Sequence, residues 1–181
     1  MLILAVLCTI VIGWFFGGRL SRFESAELKW LPIPLAALLL QGLLPFLPGG
    51  SGAPVVGSYA LLLIFLWRNR HLKKTALFAA FGSISNALVI LANGFRMPVS
   101  THALDVLTPA GISKLASGSI PMYTLANEQT RFLFLGDVFY LPLPILGGFA
   151  SIGDILLSLG LFFCILKIMS PGRLPDCLTK G

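Results

Sequence analysis

Two aspartates, Asp137 and Asp154, are the candidate catalytic residues of this chain. Each follows a glycine in an apolar stretch, and the linker between them contains two prolines and two consecutive glycines. If this linker folds back on itself, both carboxyl groups lie at the same depth in the molecule and can approach each other. Two carboxyl groups held close together do not both ionise cheaply, so the pKa of one rises. Asp137 and Asp154 are therefore a candidate catalytic pair of the aspartyl-hydrolase kind, in which one carboxylate activates water and the other, protonated, donates to a carbonyl oxygen.

A purely structural interpretation of the same two residues is favoured over catalysis. Ser151 stands three residues before Asp154 and directly before an apolar run, which is the pattern of a helix-capping pair. Asp137 can instead form a buried ion pair with Arg96 or Arg131. Ionisable residues at membrane depth are nevertheless functional candidates, so both interpretations stay open.

Further polar residues are predicted to gather near the aspartates and form a ligand-binding site. Asn86 and Asn93 share one face of a predicted helix with Ser83. For Asn86 and the serines, hydrogen bonding between helices is favoured over ligand contact, with Gln41 as a candidate partner. The candidate ligand-binding residues are Asn86, Asn93, Arg96, Glu128 and Arg131.

The composition of the chain defines its broad class. Of its 181 residues, 11% are charged and 56% are hydrophobic, whereas a soluble domain carries about 25% charged residues. This excludes an ordinary cytosolic enzyme, a disordered regulator and a secreted disulfide scaffold. The three cysteines show no paired spacing, and His102 has too few companions for a metal site, so neither a metal nor a cofactor is predicted.

The predicted fold is a single all-α membrane domain over 1–181 with about five transmembrane helices, at 1–18, 31–47, 53–67, 75–93 and 152–169. A long extracytoplasmic loop, 94–150, separates the last two. Within it, Ser100 is predicted to cap a short helix through Leu107, and Thr108 a second that extends to about Ala116. Segment 132–148 is apolar but interrupted by Asp137 and prolines, which predicts a re-entrant or half-buried element.

The basic residues of this chain, whose formal net charge is +6, are unevenly distributed between the predicted loops. Ten of the 13 lie at or after the ends of the first, third and fifth spans, and the other three are Arg96, Lys114 and Arg131. The positive-inside rule then predicts an extracytoplasmic N-terminus and a cytoplasmic C-terminus. The net charge is thus explained by topology, and no nucleic-acid partner is predicted.

Three motifs resemble a known family. They are Asn-Gly-Phe-Arg-Met-Pro-Val at 93–99, Leu-Gly-Asp at 135–137 with the following prolines, and Ser-Ile-Gly-Asp at 151–154. Together they resemble small bacterial multi-pass membrane proteins known as domain of unknown function 5317. The resemblance covers nearly the whole chain and implies a location in the bacterial cell membrane, but no reaction. Phe95 stands where the resemblance suggests a second glycine.

The placement of the aspartates is also similar, more faintly, to that in the lipoprotein signal peptidases. In those enzymes one aspartate lies in a broken segment and the other at the start of the last membrane helix. Ile152 and Gly153 stand here where those enzymes have an asparagine and an alanine, and this chain is predicted to have five spans rather than four.

The favoured function is that of a membrane protein that binds a membrane lipid, a small lipophilic molecule or a membrane-protein partner through its extracytoplasmic polar residues. The alternative is an intramembrane hydrolase or protease that uses Asp137 and Asp154, and whether the chain is an enzyme stays open. A small transporter component ranks third.

Overall fold

The computed structural model describes residues 2–22, 27–43, 53–120, 122–143, 148–175 and 178. The described part is mostly helical, with seven α-helices. Two of them, α4 and α7, are long and apolar enough to cross a membrane by length and composition, and α1, α2 and α3 are shorter apolar helices. The helices are α1 Leu2–Phe15, α2 Pro32–Gly42, α3 Ala53–Arg68, α4 Lys73–Ala92, α5 Ala103–Val106, α6 Pro109–Ala116 and α7 Ile152–Met169.

Helices α4 and α7 pack antiparallel through small residues. A Cβ atom added to Gly160 would lie 2.7 Å from the Cβ of Ala79, and one added to Gly82 would lie 2.6 Å from the carbonyl oxygen of Gly153. Side chains at these positions would force the helices apart. The small residues therefore set the close approach of the two longest helices.

The remaining apolar helices pack at the sides of this pair. Helix α1 ends beside the end of α7, where the Arg19 N–H donates to the Met169 carbonyl over 3.0 Å. Helices α2 and α3 are joined by the Gln41 side chain, whose Nε2 donates to the Ser58 hydroxyl over 2.7 Å. The prediction of Gln41 as a partner of Asn86 is wrong, because Gln41 faces α3.

Several helix ends meet at one end of the bundle, here called the basic end. The Asn69 side chain, just after α3, donates to the carbonyl of Lys29 and accepts the Lys29 N–H, over 2.9 and 2.8 Å. Leu28 packs against Leu72, before α4, and against Ile168 in α7. The basic residues gathered here are Arg19, Arg22, Lys29, Arg68, Arg70, Lys73, Lys74, Lys167 and Arg173.

The opposite end, here called the loop end, carries four short strands that the all-α prediction did not include. Strand β1, Met97–Val99, pairs in parallel with β2, Tyr123–Leu125, with Met97 opposite Tyr123. Strand β3, Phe139–Leu141, pairs antiparallel with β4, Gly148–Ala150. Three-residue strands are too short to show a clear alternation in sequence, and each forms only through a distant partner.

The two predicted surface helices form at the loop end, one as expected and one shorter. Helix α6 begins after Thr108, whose Oγ1 accepts the Gly111 N–H over 3.2 Å, as the sequence predicts. Helix α5 covers only Ala103–Val106, because the Ser100 hydroxyl bonds to the His102 N–H in a turn before it. Segment 132–148 contains a 3₁₀ helix, Leu133–Leu135, and strand β3, and its residues 144–147 lie outside the described part.

Candidate functional site

The first turn of α7 holds one of the two aspartates in a capping box. The Ser151 hydroxyl accepts the Asp154 N–H over 2.9 Å, and Asp154 Oδ2 accepts the Ser151 N–H over 3.1 Å. Both bonds satisfy N–H groups that a helix start leaves without partners. The capping pair predicted from the spacing of Ser151 and Asp154 is therefore confirmed.

Asn86 connects this capping box to α4. Its Nδ2 donates to Asp154 Oδ1 over 2.9 Å, and its Oδ1 accepts the Ser151 hydroxyl over 2.9 Å. Asn86 is only 1% exposed, so both bonds lie away from solvent. A Cβ on Gly153 would overlap the Asn86 side chain, which explains the glycine directly before Asp154. The interhelical hydrogen bonding predicted for Asn86 is present, with α7 as the partner.

The backbone on both sides of Asp137 fixes its position at the loop end. The Asp137 N–H donates to the Pro98 carbonyl over 2.9 Å, and the Asp137 carbonyl accepts the Ser100 N–H over 3.0 Å. Strand β3 follows at once and pairs with β4, which leads directly into the capping box. These contacts bring Asp137 and Asp154, which are 17 residues apart in sequence, to the same end of the bundle.

The Asp137 carboxyl is buried, and one of its two oxygens lacks a hydrogen-bond partner. The residue is 4% exposed, and its Oδ1 receives no hydrogen bond. Burial, and to a smaller extent the negative charge of Asp154, together raise the pKa of Asp137 to about 7. Near neutral pH, the Asp137 carboxyl can therefore both donate and accept a proton.

The ion pair considered for Asp137 is wrong. Arg96 and Arg131 are both exposed, and within the described residues neither forms an ion pair with Asp137. The guanidinium of Arg96 lies instead beside Gly118, where an added Cβ would be 2.7 Å from Nη1. Backbone pairing buries the Asp137 side chain, whereas both arginine side chains stay in solvent, where hydration of the charge is cheapest.

Asn93 supports the loop end from the end of α4. Its Nδ2 donates to the carbonyls of Val89 and Arg131, each over 2.8 Å, and its Oδ1 accepts the Arg131 N–H over 2.9 Å. Gly94 and Phe95 both have φ of 65°, so the chain turns sharply after this contact. The Asn93 side chain is thus committed to holding the segment that precedes Asp137.

The residues predicted to bind a ligand separate into two groups. Asn86 contacts the aspartate site directly, whereas Arg96, Glu128 and Arg131 are exposed at the loop surface. The three exposed side chains therefore do not contribute to the site around the buried carboxyl groups.

Two tyrosines that the sequence reasoning missed lie at the aspartate site. The Tyr59 hydroxyl, on α3, is within hydrogen-bonding reach of Asn86 and interacts electrostatically with both aspartates. Tyr123, on β2, is 39% exposed. Its pKa is raised by partial burial and, to a smaller extent, by the negative charges of Asp137 and Asp154. A tyrosine inside an apolar segment needs a partner for its hydroxyl, and that requirement is the signal that points to Tyr59.

These side chains form one group, here called the polar cluster, whose members range from buried Asn86, Asp137 and Ser151 to partly exposed Tyr123. Its residues are Tyr59, Asn86, Tyr123, Asp137, Ser151 and Asp154. Apolar residues pack around Tyr59, among them Val55, Val89 and Met97. In the part of the chain that the structure describes, no three histidine, cysteine, aspartate or glutamate side chains gather as a metal site would require. The polar cluster is therefore rich in hydrogen-bond acceptors and carries two carboxyl groups in unlike environments.

Comparison with known proteins identifies the family. The model of a family of unknown function, DUF5317, matches residues 25–166. The chain belongs to this family. No curated protein and no solved structure matches the chain. The matched range includes every residue of the polar cluster, so the cluster lies wholly within the family's domain.

Proposed function

We propose that this protein is a multi-pass protein of the bacterial cell membrane that binds a small molecule or a lipid headgroup at the polar cluster. The observation that carries the proposal is Asp137, a carboxyl group that is 4% exposed and has an oxygen without a hydrogen-bond partner. The argument for the membrane rests on separate features of the helix surfaces.

Large apolar side chains cover the outward faces of the helices. On α4 they recur at every turn: Leu77, Phe81, Ile84, Leu88 and Leu91 are all exposed. Helices α1 and α2 carry similar residues, among them Ile3, Val11, Leu35 and Leu38. Soluble proteins rarely expose such continuous apolar surface, whereas lipid chains cover it without cost.

The directions of the helices support five crossings. The contacts at the basic end place the ends of α1, α3 and α7 there, together with the beginning of α4. The basic residues at this end favour a cytoplasmic location, with the N-terminus and the loop end outside. Helices α1 to α3 are shorter than the roughly 20 residues of a typical span, a mismatch that local bilayer thinning and flanking residues accommodate.

Ligand binding accounts for the unusual state of Asp137. A buried polar group without a partner costs about 1–3 kcal/mol, and the chain has fixed this group in place through backbone bonds to Pro98 and Ser100. A ligand that bonds to the carboxyl recovers that energy. Tyr123 is 39% exposed and marks an approach from the outer surface.

An aspartyl hydrolase is the second candidate, because the polar cluster holds two carboxyl groups in unlike environments and burial raises the pKa of one of them, Asp137. The hydrogen bonds favour binding instead. Both oxygens of Asp154 already accept hydrogen bonds, one from Asn86 and one from Ser151. The carboxylate that would have to take a proton from water is therefore engaged in holding α7.

Native mass spectrometry of the protein released from bilayers tests the binding proposal. We expect a co-purifying small molecule or lipid that Asp137→Asn loses and that the control Asp105→Asn retains, because Asp105 is exposed and pairs with His102. Asparagine matches the shape of a protonated aspartate, so folding should persist. An identical set of bound species in all three proteins would reject the proposal.

Cysteine labelling in intact cells tests the orientation. In a background without the native cysteines, Ser117→Cys at the loop end should react with a membrane-impermeant maleimide, whereas Gly172→Cys at the basic end should react only after permeabilisation. Both positions are exposed, so labelling reports the side of the membrane rather than burial. The opposite pattern, or equal labelling before permeabilisation, would contradict the topology.

A further inference from the structure

The hydrogen bonds within the polar cluster leave one carboxyl oxygen without a partner. Asn86 donates to Asp154, the Ser151 hydroxyl donates to Asn86, and the Ser151 N–H donates to Asp154. Oδ1 of Asp137 is buried and has no hydrogen-bond partner. When Asp137 is ionised, this oxygen can only accept, so a complementary ligand group must be a hydrogen-bond donor.

The polar cluster also lacks a positive charge. It contains two carboxyl groups, and the two arginines predicted as partners of Asp137, Arg96 and Arg131, are exposed and form no ion pair with it among the described residues. Asp154 is partly neutralised by its hydrogen bonds and by the positive end of the α7 dipole. Asp137 has no comparable compensation, so an anionic ligand is disfavoured and a cationic donor is favoured.

We propose that the polar cluster binds the ammonium group of an amine, with the Asp137 carboxylate as its direct partner and Asp154 as a supporting negative charge. This inference rests on the proposed binding function and names the chemical class of its ligand. An ammonium group supplies a donor for the unpartnered Asp137 oxygen and the positive charge that the polar cluster lacks, and its bond to a carboxylate is of the strong, charge-assisted kind.

Binding of the ammonium group is coupled to release of a proton. The protonated Asp137 carboxyl gives up its proton to solvent, and the resulting carboxylate pairs with the ammonium, which keeps all of its own hydrogens. The titratable groups near Asp137 are Asp154 from α7, Tyr59 from α3 and Tyr123 from β2, and α4 contributes the neutral Asn86. Since the pKa of Asp137 is about 7, the affinity should fall about tenfold per pH unit below 7 and level off above it.

Two sources can supply the ammonium group: a lipid headgroup such as that of phosphatidylethanolamine, or a free amine from outside. Two experiments on the full chain, one by titration calorimetry and one by native mass spectrometry, separate these sources. One arm adds ethanolamine to protein in nanodiscs of phosphatidylglycerol alone. The other measures, by native mass spectrometry, retention of phosphatidylethanolamine over phosphatidylglycerol from mixed nanodiscs. Retention of the lipid alone indicates the headgroup, and binding of ethanolamine indicates access for a free amine.

The expected result is binding in at least one arm, weakened at least tenfold by Asp137→Asn and unchanged by Asp105→Asn. The pH dependence of the wild-type protein provides a readout that needs no variant. Ethylene glycol, which is neutral, and sodium chloride serve as competitors and should not displace the amine.

The possible failures separate the two proposals. If neither arm shows binding, or if ethylene glycol or Na⁺ competes equally with ethanolamine, the ammonium inference is overturned. The binding function would still stand if native mass spectrometry shows another species that depends on Asp137. If no bound species depends on Asp137, the proposed function fails as well.

Discussion

Asn86 donates a 2.9 Å hydrogen bond to Asp154, and this bond joins the middle of α4 to the first turn of α7. The same amide accepts the Ser151 hydroxyl, so one side chain holds both members of the capping box. Both oxygens of Asp154 are thereby engaged in structural hydrogen bonds, whereas Oδ1 of Asp137 has no hydrogen-bond partner.

Replacement of Asn86 should therefore destabilise the protein strongly. In Asn86→Ala, Asp154 and Ser151 both lose a buried partner, and we expect a loss of about 2–4 kcal/mol in the free energy of unfolding. Ser83→Ala is the matched control on the same helix, because the Ser83 hydroxyl donates to the Ala79 carbonyl within α4, and it should cost less than about 1 kcal/mol. Unfolding in bicelles measures both, and equal losses would contradict the role of Asn86.

Gly153 should not tolerate a side chain. In Gly153→Ala the new methyl group meets the Asn86 side chain and lies 2.8 Å from the Gly82 carbonyl oxygen. We expect a loss of about 3 kcal/mol or more, since the two helices must separate or Asn86 must give up its bonds. Gly172→Ala is the control, because a Cβ at Gly172 meets nothing within 4 Å. A comparison of their melting temperatures checks this, and a fully stable Gly153→Ala variant would show that the close approach is dispensable.

Asp137 should make the stability fall as pH rises. Its pKa is raised from 3.8 to about 7 on folding, so between these values the folded protein keeps a proton that the unfolded chain has lost. Stability is then greatest below pH 4 for this group and declines by roughly 4 kcal/mol in total as pH rises to 7.

The pH dependence of the melting temperature measures this effect. The decline between pH 5 and 8 should be smaller in Asp137→Asn than in the wild type, while Asp105→Asn should follow the wild type. Parallel curves for the wild type and Asp137→Asn would show that Asp137 does not titrate in this range.

Asn93→Ala should loosen the segment that precedes Asp137. The variant removes the partner of both the N–H and the carbonyl of Arg131. We expect hydrogen exchange at the Arg131 amide to become at least about tenfold faster, the equivalent of about 1.4 kcal/mol. The exchange at Lys29, which Asn69 holds in the same way at the basic end, should not change and serves as the internal reference. Unchanged exchange at Arg131 would contradict the supporting role.

Features that depend on neighbours in sequence were predictable. The capping box of Ser151 and Asp154 and the start of α6 at Thr108 were both predicted, because a cap bonds to an amide only three residues away. The apolar segments that became α3 and α7 were placed within a residue or two for a similar reason, since hydrophobicity along the chain needs no partner. The charged fraction of 11% is likewise known from the sequence without any structure.

Features that depend on distant residues were decided by the tertiary structure. The side chain of Tyr59 joined the aspartates, the expected Asp137 ion pair did not form, and Gln41 bonded to Ser58 instead of Asn86. Each outcome depends on how closely and in which rotation the helices pack, and glycines such as Gly82 and Gly153 set that distance. The order of residues was therefore enough to predict two carboxyl groups in an apolar chain and a local cap for Asp154. Packing of the helices added the bond from Asn86 to Asp154 and buried Asp137 with an unpartnered oxygen, because burial and long-range partners are properties of the surroundings rather than of the residue.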